Sequence, residues 1–539
     1  MVDKVGLKKE DNNNKEFIKK LIARFESLKA QRSEIEPIRQ EIIDLVCPYR
    51  GKASEDKKIW DTTATSASDK LASLLHNLIT PFGSRWHGLV APDPQSGSFF
   101  ASQENKLIRE QCDHFVMELF AQRELPASGF NLCLKDFYTE VVLFGMGCFY
   151  VSEREGGGLR YISVPVSSIV CSANHENVVD TVFEEFSLTP ENVAKKWGYD
   201  ALSDKMMEDL DRSDPQKYEF FQAVFPDKED DYEGYKKVIV SIDENRIIEE
   251  GYHRVMPYIV GRYEASPSNP FGYSPTHKAL PSIRRLNALS ASVSLYSEKA
   301  LNPAVLTSED TRGKTFSTKP KTVNHGWMDR QGRPRAVPFF TGSDARPSHE
   351  EMQRLQMQIR ELYLLDLFQV LADRASRSAT ESMEKTLEKG IFISAIVGGL
   401  QAEFVGSMVK REIDILYQDQ GDIRGLGKDL KVSYTSPLYK YQKAEELNGI
   451  VQGIRVNAEI ASMTGDPTPL MMFNPYLCGK YAADGSGVPE VLVLSEEDTK
   501  QKLIEKQKQA EASQMKQLTM EESIKTGGAI AQDRAKGEV

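Results

Sequence analysis

The stretch "GDIRGLGKDL", residues 421–430, carries the glycines and the lysine of a phosphate-binding loop. Such a loop requires G-x-x-x-x-G-K-[ST], with backbone amides cradling the phosphates and the lysine and hydroxyl completing the site. Here Asp422 stands where the first glycine belongs and Asp429 where the serine or threonine belongs. A carboxylate against a phosphate repels it, so the stretch reads as a turn before a strand. "REGGGLR", 154–160, is a run of three glycines that fits a hairpin turn rather than G-x-G-x-x-G. The histidines at 76, 87, 114, 175, 253, 277, 325 and 349 show no ligand spacing such as H-E-x-x-H. A lone histidine such as His76 on an apolar helical face reads as a core residue. Cys47, Cys112, Cys133, Cys148, Cys171 and Cys478 contain no C-x-x-C pair and mostly sit among apolar neighbours. They read as buried free thiols in a reducing compartment. No G-x-S-x-G or catalytic carboxylate pair stands out. The expectation is a protein that is not an enzyme, with no cofactor and no metal.

Two basic patches remain. Between 301 and 347, Arg312, Lys314, Lys319, Lys321, Arg330, Arg333, Arg335 and Arg346 outnumber Glu309, Asp310, Asp329 and Asp344, leaving a local charge of +4. "RASRSAT", 374–380, places Arg374 and Arg377 between two apolar helical stretches. On residues alone, both patches fit either solvated loops or surfaces that meet something negative. The whole chain is acidic, with net charge −11 and pI about 5.5. That excludes a protein that binds nucleic acid over its whole surface.

The elements that must position these patches follow from periodicity. The chain's 539 residues suffice for roughly three or four domains, and 40% hydrophobic with 27% charged residues is a globular composition. Phe17, Ile18, Leu21, Ile22, Phe25 and Leu28 predict a helix over 15–46, ended by "CPYRG". Leu71, Leu74, Leu75, Leu78 and Ile79 predict a second, stopped at Pro81. Residues 99–145 hold two more, split by "LPASGF". From 147 to 188, and again in "KKVIVSI", "RIIEEGYHRV" and "YIVGRYE", short β-like runs predict an α+β region. Thr189-Pro190 and Asp214-Pro215 each look like a helix start. A long helix is predicted over 275–300. The capping box Ser348-His-Glu-Glu351 predicts another to about 371, roughly 35 Å long. Ser378-Ala-Thr-Glu381 opens a further helix to about 418, so Arg374 and Arg377 sit just outside its start. The positive end of that helix gains nothing from them. The region 437–525 reads as helical, interrupted by "GDPTPLMMFNPYLCGKYAADGSG", and the last dozen residues as frayed.

The apolar stretch 390–409 has the length of a membrane span. Gln401 and Glu403 lie inside it and Gly398-Gly399 break its middle, so it reads as a buried helix and no membrane insertion is expected. The N-terminus lacks the apolar run of a signal peptide.

Five segments in order carry a family resemblance. "DTTATSASDKLASLLHNLITPFGSRW", "NVVDTVFEEFSLTPENVAKKWG", "NPFGYSPTHKALPSIRRLNALSASVSLYSEKALNPAVL", "RSATESMEKTLEKGIFISAIVGGL" and "SPLYKYQKAEELNGI" resemble the portal, or head-to-tail connecting, proteins of short-tailed, podovirus-like bacteriophages. The resemblance spans about residues 15–500. It implies a mainly helical α+β portal fold of wing, stem, clip and crown, assembled into a ring, usually of twelve subunits, around a central channel. It places the wing at 1–274, with a long kinked helix and a strand added by 379–436. The stem helices fall at 275–300 and 348–371, the clip at 301–347 and the channel (tunnel) loop at 372–378. The crown falls at 437–525 and a flexible tail at 526–539.

The resemblance further implies a place in the virion, at the capsid vertex where head meets tail, after synthesis in the host cytoplasm. Double-stranded DNA would pass through the channel without base readout. Partners would be further copies of the chain, the terminase large subunit, tail adaptor proteins, and major capsid and scaffolding proteins, with internal core or ejection proteins as further candidates. Arg374 and Arg377 become DNA-channel candidates. Arg330, Arg333, Arg335, Lys319 and Lys321 become partner-binding candidates in the clip. A head-tail adaptor or scaffold is the alternative within the virion, and a packaging ATPase is opposed by the missing phosphate loop.

Overall fold

The structure is a computed structural model. It describes residues 12–52, 57–90, 106–210, 215–227, 234–267, 269–301, 304–307, 327–339, 346–365, 396–417, 431–434, 437–466, 468–486 and 499–506, with a few single positions between them. The chain divides into two compact units, Met1–Ser84 with Leu119–Gly427, and Arg85–Glu118 with Lys428–Val539.

In the first unit, α1 (Asn12–Ser33) and α2 (Glu36–Leu45) replace the single helix expected over 15–46. Pro37 falls in the first turn of α2, where its missing amide costs nothing, and the chain turns at Glu34-Ile35. The next helix, α3, covers Thr63–Ile79, and β1 (His87–Val90), which follows in the chain, belongs to the second unit. Lys106–Glu124 (α4), assigned to the second unit as far as Glu118, and Phe130–Phe144 (α5) come next. Then come β2 (Met146–Glu153), β3 (Leu159–Ser163), β4 (Ile169–Ala173) and β5 (Val179–Leu188). Two short helices, α6 (Pro190–Trp197) and α7 (Asp204–Leu210), precede β6 (Tyr218–Asp227), β7 (Gly234–Ser241), β8 (Arg246–His253) and β9 (Tyr258–Arg262). The β10–β11 hairpin (Glu264–Ser266, Asn269–Tyr273) leads into α8.

Antiparallel pairing gives a five-stranded sheet in the order β4-β5-β6-β7-β8. Alternation sorts its side chains onto two faces. Phe183, Phe221, Ala223, Val238 and Val240 meet Ile18, Leu21 and Phe25 of α1, with Phe25 stacked on Phe221 at 4.9 Å between ring centres. Phe220 and Ile239 point the other way, into Val193, Ala201, Leu202 and Met206 around α6 and α7.

A second sheet, β3-β2-β9, lies against α5. Gly147 and Gly261 face each other across β2 and β9. A Cβ on either would come within 2.6 Å of the Phe137 ring, so the paired glycines form the slot that ring occupies. Phe137 in turn meets Phe149 edge-on at 5.4 Å and Phe404 at 4.8 Å.

Helices α8 (Pro275–Leu301) and α9 (Arg346–Leu362) pack antiparallel, and between them β12 (Ala304–Thr307) pairs with β13 (Ala336–Phe339). The last helix among the described residues of this unit, α10 (Gly406–Leu416), follows a helical stretch over 396–400 and a π-helical turn over Gln401–Val405. The second unit pairs β1 with β14 (Lys431–Tyr434) and adds α11 (Pro437–Thr464), α12 (Thr468–Met471) and α13 (Pro475–Ser486).

Several expectations change. Pro215 starts no helix, because an extended stretch leads directly into β6. Thr189 precedes α6 in extended conformation as expected, but its side chain makes no capping bond. The capping box at Ser348 is absent: α9 begins two residues earlier, at Arg346, and the Glu351 carboxylate turns to arginines instead. That helix ends at Leu362 in a turn where Leu364 adopts φ 56°, and residues 366–371 lie outside the described residues. Gly398 and Gly399 lie within the helix without breaking it, and the irregularity falls just after them, at Gln401. The turn-rich "GDPTPLMMFNPYLCGKYAADGSG" is largely helical. The Asp466 side chain accepts from the Thr468 amide (2.9 Å) and Asn474 from the Tyr476 amide (3.0 Å), capping α12 and α13. Five cysteines are buried free thiols as expected, and Cys478 is half-buried. His76 packs beside Tyr138, but its Nε2 has no hydrogen-bond partner, and burial lowers its pKa.

Candidate channel and docking site

Arg374 and Arg377 lie outside the described residues, as do Lys319, Lys321 and the Ser378 capping box. The structure does describe the elements on either side of the expected channel loop, and part of the expected clip.

Upstream of the loop, the α8–α9 pair is fixed to the body of the first unit by polar links. Tyr363, fully buried just past the end of α9, donates to Thr276 Oγ1 (2.8 Å), which donates to the Val142 carbonyl (2.8 Å). At the start of α8, the Ser274 amide donates to His277 Nδ1 (3.1 Å) and the His277 amide donates back to Ser274 Oγ (3.0 Å). The Ser274 hydroxyl reaches the Leu143 carbonyl (2.9 Å). This reciprocal cap needs a neutral imidazole that accepts at Nδ1, and burial, helped by the nearby Arg39 charge, pulls the His277 pKa down to about 4. Higher up the pair, Glu351 bridges Arg285 (2.8 Å) and Arg354 (2.8 Å). The Asn287 side chain accepts from the Trp60 amide (2.7 Å), and Arg284 forks onto Glu41. Beyond Ser290 no residue of α8 is buried, and Leu295 and Leu301 are exposed.

Downstream of the expected loop, two arginine–acid pairs and the contacts of Arg411 clamp 396–416 to the α+β body. The Glu403 carboxylate accepts from the Arg262 amide (2.8 Å) and Nε (2.7 Å), while Arg262 also reaches Asn177. Arg411 donates to Asp414 (2.8 Å) and lies 3.3 Å from His253 Nδ1. Burial first, then the Arg411 charge, pulls the His253 pKa down to about 3, so this ring is a neutral acceptor. The Glu412 carboxylate takes Arg123 Nε (3.0 Å), Arg123 Nη2 (2.5 Å) and the Tyr161 hydroxyl (2.5 Å). Arg123 also lies over the Phe120 and Phe130 rings. The Glu403 that argues against a membrane span therefore has a partner. No helix among the described residues is long and apolar enough to cross a membrane.

Within the expected clip, Trp327 is buried, and a bridge between Met328 and Pro334 closes a tight turn. The Asp329 carboxylate accepts from the Gln331 (2.9 Å) and Arg333 (2.7 Å) amides, and Gly332 supplies the φ of 76° that the turn requires. Arg330 and Arg333 are exposed on this fixed turn beside the exposed Met328, and Arg335 is half-buried. Neither Arg330 nor Arg333 has an ion-pair partner among the described residues. The structure thus brings three of the five clip candidates together. Sequence reasoning counted Asp329 only as a charge. Its spacing to Gly332, D-x-x-G, was the available signal for the turn. The Arg123–Glu412 pair left no signal, because its members are 289 residues apart.

Among the described residues no cluster of His, Cys, Asp and Glu could hold a metal ion. Two antiparallel helices carry a β-ladder and a basic turn at one end, and the clamped helix α10 follows later in the chain. The sequence profile of the family described as bacteriophage head to tail connecting protein matches residues 18–493, and the chain belongs to that family. A portal protein of Salmonella phage epsilon15 is 21% identical over 524 residues, covering 92% of each chain. A probable portal protein of Bordetella phage BPP-1 is 22% identical over 503 residues, covering 88% of each. A solved structure described as the neck of an empty GTA particle, computed with C6 symmetry, aligns at 10% identity and TM-score 0.33. It covers 70% of this chain and 83% of that one, a likeness too low to bear on the fold.

Proposed function

We propose that this chain is the portal of a tailed bacteriophage, a structural ring at one capsid vertex through which double-stranded DNA enters and leaves. The observation that carries the reading is the family match over residues 18–493, joined to the α8–β12/β13–α9 arrangement. In this reading α8 and α9 are the stem, residues 301–347 the clip, 372–378 the channel loop and 437–525 the crown. Twelve copies make the ring.

Sliding DNA must not be gripped. Every phosphate that Lys or Arg neutralises adds salt-dependent affinity, and many such contacts would stall the duplex. A chain of net charge −11 repeated around a ring avoids this. Arg374 and Arg377 then supply a sparse basic ring that touches phosphates transiently, without base readout. Particles carrying Arg374→Ala and Arg377→Ala should package or retain less DNA, whereas wild-type filling and retention would sink this role.

The exposed Arg330, Arg333 and Met328 on the rigid clip turn support docking of acidic faces on the terminase during packaging and on the tail adaptor afterwards. Negative-stain microscopy of the purified chain tests the whole reading. Rings with a central hole and cone-like side views are expected. Discrete monomers with ATPase activity would overturn it.

A further inference from the structure

Among their described residues, helices α11, α12 and α13 show no core of their own. Among the described residues from 447 to 506 not one is buried. Elsewhere in the same unit Trp86, Leu89, Cys112 and Val116 are buried. α11 does pack on α12 and α13: Ile450, Ile454, Ala458 and Ala461, on one helical face, are half-buried, and the Phe473 ring sits beside Gly453. Two apolar patches remain uncovered. Val456, Ile460 and Met463, at i, i+4 and i+7, form a stripe on another face of α11, with Met463 86% exposed. Leu470, Met471, Met472 and Leu477 form the second patch across α12 and α13, with Met472 81% exposed.

Helices are held in proteins by packing of an apolar face rather than by propensity, so the open stretch of α11 from 449 to 464 calls for a cover. Clustered exposed apolar side chains mark interaction sites. The patch residues carry no cations, so DNA is a poor occupant. What singles out a second copy of the chain is that there are two different patches. A two-fold dimer uses one patch against itself, whereas a closed ring needs two unlike patches that fit each other.

We propose that the Val456–Ile460–Met463 stripe of one subunit docks on the Leu470–Met471–Met472–Leu477 patch of its neighbour, so that the core of this helical layer exists only between subunits. The proposal rests on the portal reading for the ring itself. It assigns this layer the task of coupling crown folding to ring closure.

Two differently tagged full-length chains, both carrying Cys478→Ser, test it. One carries Met463→Cys and the other Met472→Cys. They are co-expressed and treated with a short bismaleimide. The expected result is a cross-linked product bearing both tags, with none from either variant expressed alone. Rings that give no mixed product, or cross-linking of either variant to itself, would overturn the inference and leave the ring standing. Absence of any ring by native mass spectrometry would remove the portal reading as well. A second variant, Ile460→Asp with Met463→Asp, alters only exposed positions of the single subunit. It should lower the yield of rings at least 10-fold while the monomer keeps its helical circular dichroism, and an undiminished yield would count against the interface.

Discussion

Arg123 and Glu412 form a two-bond ion pair, 3.0 and 2.5 Å, with side-chain exposures of only 1% and 0%. The pair fixes α10 to the end of α4, and Tyr161 occupies the same carboxylate. Removing one member of a buried pair strands a charge and costs about 3–5 kcal/mol, whereas replacing both by apolar residues is often neutral. Glu412→Gln should therefore destabilise the first unit strongly, and Arg123→Met with Glu412→Leu should recover much of the loss. Chemical denaturation of the three proteins measures this. A double variant no more stable than Glu412→Gln would contradict the reading.

The glycine slot makes a packing prediction. Gly261→Ala places a methyl group 2.6 Å from the tip of the Phe137 ring, and overpacking of this kind costs about 1–3 kcal/mol. Phe137→Leu in the same chain should relieve part of it. A double-mutant cycle in thermal unfolding reads the coupling directly, and additive effects would show that ring and glycine do not interact.

The cap at the base of α8 is acid-sensitive. His277 has its pKa lowered in the folded chain to about 4 from 6.5, so the unfolded chain binds the extra proton first. Its contribution is present above pH 6.5 and is lost as pH falls towards 4. His277→Asn retains an acceptor and removes the titration, so its melting temperature should fall less than wild type between pH 6.5 and 4. Glu140, pushed up to about 7 by burial, pulls the opposite way in both proteins and cancels in the comparison. Parallel curves would refute the role assigned to His277.

The clip turn predicts a charge effect. Arg330→Glu with Arg333→Glu should weaken binding of an acidic tail adaptor, and the wild-type affinity should fall with added salt. Both residues are exposed, so the thermal stability of the chain should stay within about 0.5 kcal/mol of wild type. Titration calorimetry at two salt concentrations would settle it, and unchanged affinity would rule the turn out as the docking site.

Local signals in the sequence were read well where they were continuous. The runs KKVIVSI, RIIEEGYHRV and YIVGRYE and the helical spacing of Leu71, Leu75 and Ile79 placed β7, β8, β9 and the end of α3 within about two residues, whereas β6 was missed. The misreadings came from residues with two uses. Ser348 and Glu351 match a capping box, but Arg285 and Arg354 draw the carboxylate away. Asp214-Pro215 suits a helix start and equally an extended entry to a strand. Gly398-Gly399 were read as a break, but their helix continues and distorts beside Phe404, which packs on Phe137. Of the candidate site, charge alone marked Arg330 and Arg333. Nothing local could reveal contacts such as Arg262 with Glu403, 141 residues apart, because only the folded chain brings them together.

The most direct test of the portal reading is an asymmetric electron cryo-microscopy reconstruction of virions in which this chain carries an identifiable tag. Tagged density in a ring at a single vertex, with duplex DNA in its bore, is the predicted result. Tagged density at every vertex, or away from the head–tail junction, would contradict it.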